Sequence, residues 1–167
     1  NERTDAYSIK VGEKIKTSTD GSNDTDCFVF KTNSHNAFYH IDYSEKSSTN
    51  ADVYIYDAAG DEVRRLYAYN YDNSFYLSEK LEPNKTYYFV LYGLKEGNYE
   101  FEISYTIDKD SDEKEKATSI KLNTPKESRL EASNDTDWFK IQINSPGEYR
   151  VRCNSLSSTG VDYAVYN

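Results

Sequence analysis

Two short stretches carry most of the chemistry this sequence offers. Ser22-Asn23-Asp24-Thr25-Asp26 leads into Cys27-Phe28, and Ser133-Asn134-Asp135-Thr136-Asp137 leads into Trp138-Phe139. Each holds two carboxylates one residue apart. Carboxylates are hard oxygen donors of the kind that calcium gathers in sets of about six to eight, with carbonyls and water. Asp24, Asp26 and a nearby acid would supply three side chains. The alternative is an Asx-type turn whose side chains satisfy backbone amides, and the residues alone leave both readings open. The same stretches contain Asn-x-Thr sequons at Asn23 and Asn134, with a third at Asn84, which matter only in a glycosylating host.

The second chemical resource is aromatic: 17 Tyr, 7 Phe and 1 Trp, with no Met. If Tyr87, Phe89 and Leu91 point inward, then Tyr88, Val90 and Tyr92 point outward. Tyr54, Tyr56, Tyr67, Tyr69 and Tyr71 are candidates to join them. Trp138 stands where the other copy has Cys27, at an outward strand position, and completes the candidate ligand-binding set. Flat tyrosines stack on sugar rings or pack on a collagen-like helix with little entropy loss. The structural alternative is cross-strand pairing that stiffens a sheet. Catalysis lacks comparable signals. His35 and His40 have no metal-ligand spacing, and neither Gly-x-Ser-x-Gly nor His-Glu-x-x-His occurs. No carboxylate pair is marked as an acid/base couple. The chain reads as a binding protein and not as an enzyme.

A net charge of −9 over 167 residues opposes nucleic-acid binding, which needs a basic field. No apolar run approaches the ~18 residues of a membrane span. The opening Asn1-Glu2-Arg3-Thr4 has no signal-peptide character, so an export signal is expected to have been removed. Cys27 and Cys153 occupy non-equivalent places. A disulfide between them is open, two unpaired thiols are the preferred reading, and the redox compartment is left undecided.

The elements that must position these groups repeat. Asp135 follows Asp24 by 111 residues, and the same offset carries Ala6 to Ala117, Ser8-Ile9-Lys10 to Ser119-Ile120-Lys121, and Asn33-Ser34 to Asn144-Ser145. After a one-residue deletion, Ser48-Thr49-Asn50-Ala51-Asp52 matches Ser158-Thr159-Gly160-Val161-Asp162. Within the first copy the hydrophobic period is two. Strands are expected at Cys27–Thr32, Phe38–Tyr43, Ala51–Tyr56, Glu62–Tyr71, Phe75–Leu77, Thr86–Tyr92 and Tyr99–Thr106. Turns are expected at 57–60, 81–84 and 95–98. Many short strands with such turns indicate an all-β, jelly-roll-like antiparallel sandwich. The organisation expected is a complete module over 1–107, a solvated charged linker over 108–116, and the first half of a second, homologous module over 117–167. In that half, Phe139, Ile141 and Ile143 should face a core, as should Tyr149, Val151 and Cys153, then Val161, Tyr163 and Val165.

These landmarks resemble the bacterial pre-peptidase C-terminal domain, which is related to clostridial collagenase collagen-binding domains. The matching residues are Asp24-Thr25-Asp26-Cys27-Phe28 and Asp135-Thr136-Asp137-Trp138-Phe139. They continue with Ala51 to Asp57 plus Gly60, Leu81 to Leu91, Gly97-Asn98-Tyr99, and Asn144 to Tyr149. The resemblance implies a sandwich that binds carbohydrate, collagen or another surface without catalysis. It also implies calcium held by an acidic N-terminal segment and the acidic turn. Here those acids would be Asp24 and Asp26 with Glu2 and Asp5, and Asp135 and Asp137 with Glu113 and Glu115. The usual Glu-Pro-Asn-rich opening is reduced to those few residues.

The leading reading is a secreted or cell-surface bacterial module that recognises polysaccharide or an extracellular matrix protein. The runner-up is a spacer beside a catalytic domain. A third reading is a protease-associated domain that assists folding or restrains activity. A half-sandwich exposes core face and strand edges, so either a longer tandem array or self-association through the incomplete half is expected.

Overall fold

The computed structural model describes residues 3–21, 23–45, 51–67, 74–93, 95–154 and 160–166. The alternating segments form strands because β-branched and aromatic side chains suit a pleated surface buried on one side. In chain order they are β1 (Tyr7–Ser8), β2 (Lys14–Thr19), β3 (Asp24–Lys31), β4 (Ala37–Glu45), β5 (Asp52–Asp57), β6 (Glu62–Leu66), β7 (Ser74–Leu81), β8 (Thr86–Gly93) and β9 (Gly97–Ile107). One sheet has the order β1-β3-β8-β5-β6 and the other β2-β9-β4-β7. Packed face to face, they make an all-β sandwich. Phe28, Phe30, Val53, Ile55, Tyr87, Phe89 and Leu91 point in from the first sheet. Tyr39, Ile41, Tyr43, Leu77, Tyr99, Phe101 and Ile103 meet them from the second. Phe101 sits at the centre, its ring centroid 4.8 Å from that of Phe28 and 4.7 Å from that of Phe89.

Side chains set the turns. Asp57 Oδ1 accepts from the amides of Gly60 and Asp61 at 2.8 and 2.9 Å, and Gly60 supplies the left-handed conformation that the corner needs. The Thr32 hydroxyl donates to the Glu82 carbonyl at 2.7 Å and accepts from the Lys85 amide at 2.9 Å, tying the Leu81–Asn84 corner to the end of β3.

Several local expectations change. β1 and β2 were not foreseen, because each is short and weakly alternating. β7 runs from Ser74 to Leu81, beyond the expected Phe75–Leu77, because it pairs with β4 along its whole length. The strand expected over Glu62–Tyr71 ends at Leu66 among the described residues, and 68–71 lie outside them. Cys27 is on the outward side of β3 yet buried.

The sheets interleave the two halves of the sandwich. β8 lies between β3 and β5, and β9 lies between β2 and β4. Strands β2 to β5 are therefore hydrogen-bonded to later strands and not to one another. Only β1 and β3, a parallel pair, join two early strands.

That pair recurs. β10 (Thr118–Ile120) lies parallel to β11 (Phe139–Ile141), with Thr118 opposite Phe139 as Tyr7 is opposite Phe28. Glu131 N donates to Asp135 Oδ2 at 2.6 Å, as Asp20 N does to Asp24 Oδ2 at 2.8 Å. Asn123 and Gly12, also 111 apart, both have positive φ. Here the likeness ends. Residues 142–154 and 160–166 form no strand. The residues expected to face a core are exposed: Phe139 is 37% accessible where Phe28 is 5%, and Val165 is 73% where Ile55 is 2%. The reason is the interleaving, since no strands corresponding to β8 and β9 flank this segment among the described residues.

Candidate ligand face and metal centre

The outward side of the first sheet gathers tyrosines from adjacent strands. The register sets Tyr56 opposite Tyr88, Tyr54 opposite Val90, and Asp52 opposite Tyr92. Tyr54 and Tyr56 stack with centroids 5.8 Å apart and planes 3° from parallel, and Tyr92 meets Tyr54 edge-on at 5.1 Å. Arg65 of β6 lies over Tyr67 at 4.7 Å and over Tyr54 at 5.9 Å. Val90, opposite both Tyr54 and Cys27 in the register, is buried on this side of the sheet, as is Cys27. Burial in the ridge pushes the Tyr54 and Tyr56 hydroxyls above their ordinary range. Tyr54, Tyr56, Tyr67, Tyr88 and Tyr92 thus share one face. Tyr69 and Tyr71 lie outside the described residues. Trp138 is elsewhere, 5.3 Å from Tyr166 between ring centroids.

The two acidic turns differ in their surroundings. In the first, Asp24 caps the Asp20 amide. Asp26 accepts a 2.6 Å hydrogen bond from the hydroxyl of Tyr99, a fully buried residue. Burial raises the Asp26 carboxyl above its usual range, and the Tyr99 bond opposes that rise. This turn is anchored to the core. Asp5 is exposed, and Glu2 is outside the described residues.

The second turn meets the start of the charged run, which is only partly solvated. The Asp108 side chain is 2% exposed, and Lys80 bridges it to Asp112 at 2.6 and 2.5 Å. Trp138 N donates to the Ser111 carbonyl at 2.8 Å. Asp110 accepts from Lys126 at 2.9 Å and from Ser128, which also donates to Asp137 at 3.1 Å. Burial works to raise Asp110, but the bonds from Ser128, Lys126 and Thr118 prevail and hold it below the usual range.

Asp108, Glu131 and Asp135 converge, with ligand oxygens within 4.8 Å of one another. Asp108 Oδ1, Glu131 Oε2 and Asp135 Oδ1 are buried and have no hydrogen-bond partner. Buried oxygens left this way are costly. Burial, a side-chain hydrogen bond with Asp135 and the neighbouring charges push Glu131 up to about 7, and burial and nearby acids push Asp137 to about 6. The donors suit a hard divalent cation. Asp108 and Glu131 carried no sequence signal of their own. Glu113 and Glu115 are exposed, and Glu113 pairs with Lys116 at 2.7 Å.

The fold is an all-β sandwich with one aromatic face and one carboxylate-rich end. Among solved structures it is similar to the pre-peptidase C-terminal domain of collagenase from Bacillus anthracis, with a TM-score of 0.52 and 20% identity. That alignment covers 62% of this chain and 98% of the other, and it establishes the shared fold. Weaker likenesses are to PliG, a periplasmic inhibitor of g-type lysozyme. The Aeromonas hydrophila protein has a TM-score of 0.44 at 12% identity, covering 60% of this chain and 97% of that one. The Salmonella Typhimurium protein has a TM-score of 0.38 at 14% identity, covering 60% and 99%. No protein-family model matches the chain, and no curated protein does. No helix among the described residues is long and apolar enough to cross a membrane.

Proposed function

We propose that the chain is a non-catalytic binding module of a secreted or cell-surface bacterial protein, related to pre-peptidase C-terminal domains, and that its tyrosine ridge recognises polysaccharide or an extracellular matrix protein such as collagen. The observation that carries this reading is the stacked, parallel Tyr54–Tyr56 pair, met edge-on by Tyr92 of the neighbouring strand. Such a platform offers aromatic area already ordered by the sheet, so little entropy is lost on binding. Asp108, Glu131 and Asp135 would hold a calcium ion, with Asp137 beside them. The ion would neutralise converging carboxylates and tie the second acidic turn to the end of β9. The test is a glycan and matrix-protein array, with and without calcium, comparing the parent with Tyr88→Ala and Tyr92→Ala. Loss of about tenfold or more in affinity at unchanged melting temperature is expected. Undiminished binding by both variants would remove the ridge from the site, and no binding by the parent would favour the spacer reading.

A further inference from the structure

We propose that Lys80 and Asp108 condense into an intramolecular amide, with Asp112 as the proton carrier, so that the chain cross-links its own sandwich. The bond needs neither the tyrosine ridge nor a bound ion. β7 and β9 flank β4 in the second sheet, and the register sets Phe38 opposite both Lys80 and Thr106. Asp108 follows directly after β9, and its backbone amide donates to the Asn36 carbonyl at 3.1 Å. Lys80 Nζ stands 5.4 Å from the Phe38 ring centroid and meets Asp108 Oδ2 at 2.6 Å and Asp112 Oδ2 at 2.5 Å. Phe38 alternates with the core residues Tyr39 and Ile41, yet it is only 1% exposed on its outward side. The amine and both carboxyl groups therefore meet against an apolar wall.

Burial separates this network from a surface ion pair. The Asp108 side chain is 2% exposed, and Asp108 Oδ1 and Asp112 Oδ1 are both buried without a hydrogen-bond partner. Buried charges are costly, and one neutral amide replaces an ammonium and a carboxylate. Burial pushes the Asp108 carboxyl above its usual range against the Lys80 bond, which favours the protonated, electrophilic form. Burial works to lower Lys80, but its two carboxylate bonds prevail and hold it above its usual range. The amine thus becomes nucleophilic only by giving up a proton in place. Counted from the ion pair, the first proton passes from Lys80 through Asp112 to Asp108 Oδ2. The neutral amine attacks Asp108 Cγ and the C–N bond forms. The second proton then follows the same route, the Cγ–Oδ2 bond breaks, and Oδ2 leaves as water. Asp112 ends as it began, and no oxidant or co-reactant enters. The Asp112 side chain is 32% exposed, which gives the water a way out. Asp108 Oδ1 stays as a carbonyl oxygen, a donor that calcium also accepts. The product fastens β7, an edge strand hydrogen-bonded on one side only, to the end of β9 across β4.

The test is the intact mass of the full chain, purified and then incubated at neutral pH. The expected result is loss of the mass of one water. Proteolysis should then yield a branched peptide that joins the Lys80 and Asp108 fragments. Lys80→Arg keeps the positive charge and should show no loss. Asp112→Asn should lose water about a hundredfold more slowly than the parent, the scale of a removed proton carrier. Asp108→Asn should form the same link with loss of ammonia in place of water, which marks position 108 as the electrophile. An unshifted parent mass after days of incubation would leave an ordinary ion network and overturn the proposal. Water loss that persists in Lys80→Arg would mark dehydration elsewhere in the chain and overturn it as well. So would a branched peptide that joins Lys80 to Asp112, or condensation of Asp112→Asn at the parent's rate. The decisive reading is the parent's own mass, so it stands even where a variant fails to fold. No measurement here uses a ligand or an ion, so ridge binding and calcium binding can each fail without it.

Discussion

Replacing Tyr99 by Phe removes one oxygen from the edge of the core and leaves Asp26 without its short hydrogen bond. The ring of Tyr99 stays packed beside Tyr43 and Phe101, so the packing term is unchanged. What is lost is the 2.6 Å bond from a buried hydroxyl to a carboxylate, and bonds to charged groups contribute about 1.5–3 kcal/mol. Asp26 is half-buried, which places the expected cost near 2 kcal/mol, or about 8–16 °C in the melting temperature of a ~100-residue sandwich. Calorimetry or thermal circular dichroism would read this directly. Asp26→Asn supplies the matching single variant and Tyr99→Phe/Asp26→Asn the cycle, in which the two changes should be strongly non-additive. The pH dependence has a definite sign. Asp26 has a raised carboxyl in the parent, and without the Tyr99 bond it rises further. The penalty of Tyr99→Phe is therefore greatest where Asp26 is charged in both proteins. It shrinks as pH falls and Asp26 becomes neutral in both. A melting temperature within about 2 °C of the parent at neutral pH, or additive behaviour in the cycle, would show that the first acidic turn is not anchored this way.

Glu131→Gln should abolish any heat of calcium binding. In chelator it should raise the melting temperature more at about pH 8 than at about pH 5. With its carboxyl raised to about 7 in the folded chain, Glu131 costs stability increasingly as pH rises from the ordinary carboxylate range through about 7; equal melting of parent and variant at both pH values would count against the carboxylate cluster. His40 is held below its ordinary range by burial and by Arg129. The unfolded chain therefore binds that proton more tightly, and stability should fall as pH drops below about 6.5. Urea midpoints of the parent and His40→Gln should diverge there and agree at about pH 8. Phe101→Ala should cost about 3–5 kcal/mol, whereas Phe139→Ala should stay within about 0.5 kcal/mol in denaturant titration, because its side chain is exposed. A large effect of Phe139→Ala would show that the later segment is covered in solution.

The alternation of Phe28 and Phe30, of Val53 and Ile55, and of Tyr87, Phe89 and Leu91 was enough to choose strands and to name which residues face the core. Such patterning is local, and each inward residue meets the same kind of environment. The tyrosine face was legible for the same reason, since parity along β5 and β8 places Tyr54, Tyr56, Tyr88 and Tyr92 on the side opposite the core. Pairing was not legible. That β8 separates β3 from β5, and that β1 runs parallel to β3, depends on contacts between distant residues that no local period encodes.

The carboxylate cluster shows the same division. The repeat of Asp24-Thr25-Asp26 as Asp135-Thr136-Asp137 is a property of the sequence alone. Whether either turn gathers acids was settled by what folds against it. Tyr99 arrives at the first through the closing strand and takes up Asp26, whereas Asp108 arrives at the second from the end of β9 and leaves buried oxygens without partners. The identical letters met different neighbours, because a side chain's electrostatics depend on the three-dimensional surroundings that desolvate or pair it. The exposed face of the later segment follows the same logic. Its apolar alternation is written in the sequence, but burial needs interleaving strands, and only the tertiary structure decides whether they are there.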